Sequence, residues 1–562
     1  MPPTHFIPSL LLGSLVLATA TAPRAQQAPN AATQLQQIPV SPSQPAKLPE
    51  WGADPQQVAP LVDASGPKLR VETLTFTGNA AFTTPELVQA SGFVAGRAYT
   101  LGELRQLAAK VSSYYRDRGY FLAQAVVPAQ EITNGAVQLK VLEGRLGQVE
   151  LNNSSELSDR VASGLLAGLQ DASPVTQAEL ERRILLLSDL PGVLARSTLR
   201  PGSTPGTADV VVQLGAGPKT GGSLELDNQG NHYTGAYRMG ASLFVNELLG
   251  WGDVASARLL TSGEGLSYGR VAYQTLLGPL TMGVATSSLY YQLGGAFARL
   301  ESSGTAQTGS AFASYPLLRS RQQNLSAQWS LDHKDFSDRT GAGSPSQANK
   351  TNHTHTLGLK GNYQDAQGQR AWQYNAAWAL GHVALHDATT RNNDAMTAQS
   401  NGAYEKLVYG VALQQELAQK RSLYLSLNGQ WASKNLDASE KFSLGGTGGV
   451  RAYPAGEASG DEGYVLTLEG RIPWPALSQV LGGSAQAIAF LDTGTEIANK
   501  SPWDAGTSAK RRTLSGVGVG LNFTSPNKWT ATAYGAFKVG DETATSAPDA
   551  AWRFWFQAAK FF

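Results

Sequence analysis

The chain has 562 residues, no cysteine, 60 glycines and a formal net charge of +1. The lack of cysteine excludes disulfides and thiolate chemistry, and the balanced charge gives no electrostatic case for a nucleic acid partner. A mean hydropathy of −0.21 argues against a bundle of membrane helices. A transmembrane β-barrel stays open, because its alternating strands are not hydrophobic on average.

Two segments precede the first predicted domain. Residues 1–25 are predicted to be a secretory signal peptide, since Phe6–Ala22 is an apolar run too short to be a spanning helix and small residues follow it. Residues 26–67 contain eight prolines and many Gln, Ala and Ser residues. This composition predicts a linker or plug segment that buries little surface, with room for a short helix around Asn30–Gln37.

Residues 68–145 are predicted to form a small domain of order β-α-α-β-β. A strand runs from Leu69 to Phe76, and Thr100–Arg118 has apolar residues at helical spacing. The strands Tyr120–Val127 and Ala136–Leu142 follow, separated by an Asn-Gly turn.

Residues 146–215 repeat that order and are predicted to form a second domain. One of its helices starts at Thr176-x-x-Glu179, which has the sequence of a capping box. Arg182 and Arg183 on the same helix form either a solvated face, the interpretation we favour, or a docking site.

Residues 216–562 consist of segments with period-two alternation separated by turns. In Ser422–Trp431, for example, leucine and tryptophan side chains share one face and polar side chains the other. Sixteen such strands are predicted, an even number as in bacterial outer-membrane barrels. They begin near residues 219, 234, 252, 266, 280, 307, 322, 352, 371, 404, 421, 463, 484, 511, 528 and 551.

The connections between these strands alternate in length, as the periplasmic turns and outer loops of a transmembrane barrel do. A soluble β-sandwich has no reason to alternate in this way. The short connections include residues 277–280, 417–421 and 524–527. Most connections expected outside the cell are longer: Leu293–Gln307, Phe336–Thr351, Leu385–Ala403, Lys434–Gly463 and Thr495–Lys510.

Two motifs near the C-terminus each contain a charged residue close to glycine: Arg451 in a loop and Asp492 in a strand. Arg451 lies in a glycine-rich loop whose backbone can fold back tightly. Asp492 shares strand parity with Phe490, and the opposite face is aliphatic, so Asp492 points inward if that face meets lipid. The two charges can then form a bidentate, charge-assisted pair; the alternative is a surface loop with an unpaired arginine. The motif residues are Val450, Arg451, Ala452 and Tyr453 in the loop and Phe490, Asp492 and Gly494 in the strand.

The two small domains resemble POTRA domains, on their β-α-α-β-β order and on the segments Tyr115–Gln130 and Gly135–Gly147. With the motif LDNQG at Leu226–Gly230 and the two motifs above, the chain resembles a two-partner secretion translocator (TpsB family) of the haemolysin secretion/activation and filamentous-adhesin exporter type. The first barrel strand would then carry Asp227, Asn228 and Gly230 of LDNQG.

The resemblance implies that the long loop folds back into the barrel, that Arg451 pairs with Asp492, and that Tyr453 helps to seat the loop tip. Ala452 stands where the family usually has glycine, so a backbone penalty is expected if that position needs a positive φ. The aromatic final strand ending in Phe562 resembles the signal by which the barrel assembly machinery recognises outer-membrane barrels.

The implied function is export across the outer membrane of a Gram-negative bacterium without an energy source. The POTRA domains, in the periplasm, would capture an unfolded secretion-domain segment of a partner exoprotein, for which β-augmentation is physically reasonable. The segment would pass through the lipid-embedded barrel and fold outside. No cofactor, metal, nucleic acid or catalytic activity is implied.

Other functions are less well supported by the sequence. A barrel-insertion factor is disfavoured by having two POTRA units and by LDNQG, and a passive porin would need no POTRA pair. Asp227 lacks the companions of a catalytic carboxylate, which argues against an enzyme. His353 and His355 share one face of a predicted strand, and His382 and His386 share a parity, but neither pair has a nearby carboxylate cluster, so no metal site is predicted.

Overall fold

The computed structural model describes residues 28–41, 66–169, 174–204, 206–341, 346–503 and 510–562. The predicted signal peptide and most of the predicted linker lie outside these residues. Within the linker, α1 (Ala31–Gln36) forms where a short helix was placed, and Asn30 caps it by accepting a hydrogen bond from the Thr33 N–H at 3.0 Å. Among the described helices, none is long and apolar enough to cross a membrane.

The first domain packs two helices against a three-stranded sheet of order β2-β5-β4, with β1 and β3 paired beside it. The predicted first strand is two strands, because the chain breaks at Glu72, and β4 is shorter than predicted because Tyr120–Ala123 form a turn. The elements are β1 (Leu69–Val71), β2 (Thr73–Thr77), α2 (Thr84–Ser91), β3 (Arg97–Tyr99), α3 (Leu101–Arg116), β4 (Gln124–Val126) and β5 (Ala136–Leu142).

The start of α3 follows from its capping residues. The Thr100 hydroxyl accepts a hydrogen bond from the Glu103 N–H at 3.1 Å, and the Glu103 carboxylate accepts one from the Thr100 N–H at 2.7 Å. This capping box satisfies two N–H groups that the helix would otherwise leave unpaired. The backbone hydrogen bond from Thr100 holds the pKa of Glu103 below its usual value.

The second domain has the same layout, with a sheet of order β6-β8-β7. The predicted capping box is half formed: Thr176 accepts a hydrogen bond from the Glu179 N–H, but the Glu179 carboxylate binds Arg183 instead, at 2.9 Å. The elements are β6 (Arg145–Asn153), α4 (Asp159–Leu166), α5 (Gln177–Ser188), β7 (Val193–Pro201) and β8 (Thr207–Ala216).

The rest of the chain forms one closed barrel of sixteen antiparallel strands, which confirms the predicted fold class. The strands are β9 (Thr220–Asp227), β10 (Arg238–Asn246), β11 (Val254–Thr261), β12 (Leu266–Leu277), β13 (Leu280–Gln292), β14 (Ser303–Arg319), β15 (Gln323–Thr340), β16 (Ser346–Gln364), β17 (Arg370–Leu385), β18 (Gly402–Glu416), β19 (Ser422–Ala432), β22 (Glu462–Pro473), β23 (Ser484–Ala498), β24 (Lys510–Thr524), β25 (Trp529–Lys538) and β26 (Trp552–Phe561). The short pair β20 (Phe442–Ser443) and β21 (Ser459–Gly460) lies between β19 and β22.

Helical turns occupy some of the barrel connections. Outer connections hold a 3₁₀ turn, Gly295–Leu300, and α6 (Ala388–Met396). Periplasmic connections hold a second 3₁₀ turn, Ala418–Lys420, and α7 (Pro475–Leu481).

The predicted loop Phe336–Thr351 is wrong in its extent. Strand β15 continues to Thr340, and β16 already begins at Ser346. The error arises because most side chains on both faces of this hairpin are polar above the apolar belt, so the period-two contrast that marks a half-buried strand is lost. The two strands pair residue by residue from Gln323–Tyr363 to Thr340–Ser346.

The second domain is fixed to the periplasmic end of the barrel by polar contacts. Arg319 forms a bidentate pair with Asp189 at 2.6 Å, and Arg182 donates a hydrogen bond to the Pro316 carbonyl at 3.0 Å. The interpretation of Arg182 as a solvated residue is therefore wrong. Gly192 packs so closely on the barrel that an added Cβ would lie 2.9 Å from Asn246.

Candidate functional site: the barrel lumen

The long connection between β19 and β22 folds back into the lumen, and its tip is fully buried. Val450, Arg451, Ala452 and Tyr453 are at most 3% exposed. The tip turns tightly: the Val450 N–H donates a hydrogen bond to the Leu444 carbonyl at 2.7 Å. A Cβ on Gly449 would lie 1.9 Å from that same oxygen, so this turn requires glycine.

Arg451 binds two carboxylates of the barrel wall. Its Nε and Nη2 atoms donate to Asp492 at 2.8 Å each, in a bidentate arrangement, and its backbone N–H donates to Asp492 at 3.1 Å. Its Nη1 donates to Glu469 at 2.7 Å, and Glu469 also binds Arg471. The guanidinium lies 3.5 Å from the centre of the Phe490 ring, which adds a cation–π contact.

The other tip residues make contacts of their own. Tyr453 donates its hydroxyl to the Glu542 carbonyl at 3.1 Å, and Trp555 of the last strand donates its indole N–H to the Arg451 carbonyl at 2.7 Å. Among the described residues, the non-glycine positions with positive φ do not include Ala452. Alanine therefore carries no left-handed backbone penalty here. Its methyl group packs against Gly516, where an added Cβ would lie 2.5 Å away.

A second anchor of the loop is Glu457, which is fully buried. Its carboxylate accepts hydrogen bonds from Arg512 at 2.8 Å and from the backbone N–H groups of Thr545 and Ser546 at 2.7 Å each. This contact ties the loop to the connection between β25 and β26. No local sequence pattern signals this contact, because the partners are more than fifty residues away in the chain.

The start of the loop is held by a third anchor. Glu440 accepts hydrogen bonds from Asn352 at 2.6 Å and from Lys334 at 2.8 Å, and it pairs with Lys406 at 2.8 Å. Nearby, Asp437 binds a further lysine of β16 at 2.8 Å. The loop is thus bound to the barrel wall at three separate points.

The LDNQG segment connects several parts of the lumen. Asp227 accepts a hydrogen bond from Arg238 at 2.9 Å. Asn228 bonds the backbone of the last strand, at Phe554 and Phe556, and so closes the barrel between its first and last strands. Gln229 accepts a hydrogen bond from Thr447 of the long loop at 2.7 Å.

Two further motif residues are fixed by close packing. A Cβ on Gly230 would lie 2.2 Å from the Gly235 carbonyl, and a Cβ on Gly494 would lie 2.8 Å from the Tyr464 carbonyl. At the C-terminus, the Phe562 N–H donates to the Gly222 carbonyl at 3.1 Å, and 55% of the Phe562 surface is exposed.

The N-terminal segment 30–41, here called the strap, also lies inside the barrel. Ala31 and Ala32 of α1 are buried, and the Ala31 N–H donates to Asp338 of β15 at 2.8 Å. Beyond the helix, Arg238 donates to the Gln37 carbonyl at 3.1 Å. A cavity of about 830 Å³ remains between the strap and strands β9 to β11.

The strap continues toward the periplasmic end in an extended form. Arg258, which also pairs with Glu225 at 2.6 Å, donates to the Pro39 carbonyl at 2.5 Å. The Ser41 hydroxyl lies 3.3 Å from the Ser242 hydroxyl of β10. The lumen therefore contains two independent elements, the strap and the loop tip.

Glu469 is a partner of Arg451 that was not predicted, although the sequence contains a signal for it. Glu469 pairs with Phe490 across β22 and β23, so it shares a face with Asp492. A carboxylate at a lumen-facing position beside the predicted aspartate was the available clue.

A sixteen-stranded barrel with two POTRA-like domains at one end and a loop folded into its lumen defines an outer-membrane protein transporter. A family model described as "Haemolysin secretion/activation protein ShlB/FhaC/HecB" matches residues 206–523, and one described as "POTRA domain, ShlB-type" matches residues 69–144. The chain belongs to this haemolysin secretion/activation family. It exports a partner protein through the outer membrane, with its POTRA domains in the periplasm.

Individual relatives agree with this assignment. The chain is 31% identical over 456 residues to the "Heme/hemopexin transporter protein HuxB" of Haemophilus influenzae, covering 80% of each chain. It is 25% identical over 448 residues to the "Outer membrane transporter CdiB" of Dickeya dadantii, covering 76% of this chain and 75% of the relative. The solved structure of CdiB from Escherichia coli shares the fold, with a TM-score of 0.70, 20% identity, and coverage of 91% of this chain and 94% of that one.

Proposed function

We propose that the exported polypeptide passes through the barrel lumen, and that both the strap and the loop tip leave its path during export. The observation that carries this proposal is the bidentate Arg451–Asp492 pair, which holds the loop tip across the lumen at 2.8 Å. In this state the lumen is occupied from two sides. The pair acts as the contact that keeps the loop seated between export events.

Release of the strap can be tested with a disulfide. The chain has no cysteine, so introduced thiols meet no competing partner. The Ser41 and Ser242 hydroxyls are 3.3 Å apart, and the substitutions Ser41→Cys and Ser242→Cys place two sulfurs where a 2.05 Å bond can form. The oxidised double variant should secrete at least about tenfold less partner than the reduced form, and reduction should restore export.

The matched control is a disulfide within the barrel wall. Thr493 and Ser515 are direct partners on β23 and β24, with hydroxyls 2.8 Å apart, and their double cysteine variant should export normally when oxidised. Normal export by a fully oxidised Ser41→Cys/Ser242→Cys barrel would show that the strap does not have to leave.

Capture of the partner is proposed to occur on the second domain, at the exposed edge of β7. The sheet order leaves β7 on an edge, and Leu194 on this strand is 57% exposed. A groove of about 740 Å³ lies on the adjoining face of the sheet and is lined by residues of all three strands, including Leu194, Arg196 and Gln213. In the first domain, the Gln130 side chain bonds both backbone groups of Gln138 at 2.8 Å, which covers the stretch of β5 that extends beyond its pairing with β4.

A photo-crosslinking amino acid separates this edge from other exposed surface. Placed at Leu194, it should crosslink to the exoprotein during export. Placed at Leu101, which is 49% exposed on a helix of the first domain, it should give little product. Equal crosslinking at both positions would contradict capture on β7.

The remaining partners follow from the same function. Outward side chains such as Leu468 and Leu491 form the surface that contacts outer-membrane lipid, and the final strand with Phe562 is the segment offered to the barrel assembly machinery. Transport requires no catalysis, and Asp227 is engaged with Arg238 and Gln229 as a structural carboxylate. We therefore assign no enzymatic activity, cofactor or nucleic acid partner to this chain.

A further inference from the structure

Five of the seven histidines lie close together at the outer end of three adjacent strands. His333 on β15 is the direct cross-strand partner of His353 on β16, and His353 is the direct partner of His382 on β17. Direct partners in an antiparallel sheet point to the same face. The other two are His355 on β16 and His386 just after β17.

The imidazoles of His333 and His353 are arranged as a chelating pair. Their Nδ1 atoms are 3.1 Å apart, and the ring centres are 4.3 Å apart. The Nε2 of His333 lies 2.9 Å from the Asp335 carboxylate. If Nε2–H donates to Asp335, the Nδ1 lone pair of His333 points toward His353, and a single proton is shared between the two Nδ1 atoms.

We propose that His333 and His353 bind one divalent transition-metal ion, such as Zn²⁺ or Cu²⁺, through their Nδ1 atoms. Metal–imidazole bonds of about 2.0–2.1 Å at tetrahedral angles place two ligand nitrogens about 3.3 Å apart, close to the separation found here. As the ion takes the place of the shared proton, His353 carries its N–H on Nε2 instead of Nδ1, so both imidazoles stay neutral and bind through their Nδ1 lone pairs. Asp335 orients His333 through its other nitrogen, as carboxylates do for metal-bound histidines.

The site is an open one. Among the described residues, no group of three or more His, Cys, Asp or Glu side chains is arranged to hold a metal. Two imidazoles therefore supply the protein ligands, and water fills the remaining positions. The metal can reach the two histidines from outside, since 44% of the His333 side chain is exposed.

The position of the pair gives the ion a structural consequence. On β15 the outward face changes from Trp329 and Leu331 to His333 and Asp335, so the pair lies where the apolar belt ends. The inward neighbours of the two histidines, Lys334 and Asn352, both bind Glu440 of the long loop. A bound ion would clamp the two strands together at the level where they hold this loop.

Metal binding is measured on the full-length protein in detergent, purified without a polyhistidine tag. Equilibrium dialysis with Zn²⁺ gives the affinity, and electron paramagnetic resonance with Cu²⁺ counts the coordinating nitrogens. His333→Gln and His353→Gln should each weaken binding at least about tenfold and remove the two-nitrogen signal. His232→Gln, which changes an exposed histidine on another outer loop, is the control and should leave both unchanged.

Asp335→Asn provides a second measurement. Loss of an orienting carboxylate should weaken binding about tenfold to a hundredfold while the two-nitrogen signal remains at saturating Cu²⁺. Heat-modifiable gel mobility shows that each variant is a folded barrel. Unchanged affinity in both His333→Gln and His353→Gln, or an equal loss in His232→Gln, would overturn the proposal.

Discussion

The loop tip and the strap fill the same lumen but are held by different kinds of contact. The loop brings its own charges to the barrel wall, at Arg451, Glu457 and Glu440, and each binds oppositely charged side chains. The strap sequence, residues 30–41, has no charged side chain. It is held through backbone groups and amide side chains and by apolar packing of Ala31, Ala32 and Leu35 against the barrel wall.

This difference determines which charges stay unpaired in the lumen when the strap or the loop tip leaves it. Arg238 and Arg258, which bind strap carbonyls, are also paired with Asp227 and Glu225, so these charges stay compensated when the strap leaves. Withdrawal of the loop tip instead leaves buried carboxylates without their cation, and uncompensated buried charge is costly. Release of the strap thus leaves no buried charge unpaired, whereas release of the loop tip does.

The largest effect is expected at the Arg451–Asp492 pair. In Arg451→Ala, Asp492 loses its cation and Glu469 keeps only Arg471 as a partner. In Asp492→Ala, Arg451 is still bound to Glu469. Breaking a fully buried pair costs ~3–5 kcal/mol, less where water enters. Both variants should depress secretion strongly, with Arg451→Ala the more severe. The measurement is secreted partner per assembled barrel, with assembly checked by heat-modifiable gel mobility.

The double variant tests whether these residues act as a unit. Once one partner is lost, removing the other takes away a charge that is already unpaired, so the double variant should be little worse than Arg451→Ala alone. Effects of the two single changes that multiply in the double variant would show that the residues act independently.

A smaller effect is expected at the second anchor. Glu457→Gln keeps the side-chain size but removes the charge that faces Arg512, and hydrogen bonds to charged groups contribute ~1.5–3 kcal/mol each. Because Arg451 still holds the tip, the loop should leave more often without being lost. Planar-bilayer recordings should show more frequent opening than in wild type.

The control for this measurement is Glu462→Gln, which alters a partly exposed ion pair with Lys500. Such pairs contribute little, so conductance should be unchanged. An identical record for Glu457→Gln and Glu462→Gln would argue against Glu457 as an anchor.

The barrel strands and the Arg451–Asp492 pair could be predicted from the sequence, whereas the other loop anchors could not. Strand parity and alternation placed Asp492 on the lumen side and predicted sixteen strands, because lipid on one face imposes a period of two. The same logic failed at Phe336–Thr351, where most side chains on both faces are polar. The partners of Glu457 and Glu440 lie on distant strands, and their pairing depends on loop conformation, for which no local pattern exists.

A weaker effect on stability is expected when the strap is removed. Replacing residues 30–41 by a Gly-Ser segment of equal length leaves the Arg238–Asp227 and Arg258–Glu225 pairs in place. The heat-modifiable transition of the barrel should therefore change by only a few degrees, while resting conductance rises and export continues. A large loss of barrel stability would show that the strap is a structural part of the wall.

The smallest effect is expected at Ala452 in the buried loop tip. Because its φ is not positive, Ala452→Gly relieves no strain; it removes one buried methyl group and adds backbone freedom, at a cost of ~1 kcal/mol. Export should fall slightly or not at all. Gly516→Ala, in contrast, places a Cβ 2.5 Å from the Ala452 methyl group. In the double variant Gly516→Ala/Ala452→Gly, the methyl group is on residue 516 instead of residue 452, so the clash is removed. This variant should recover most of the export lost in Gly516→Ala. A gain of export or stability in Ala452→Gly alone would mean that this position is strained and that the seated tip prefers glycine.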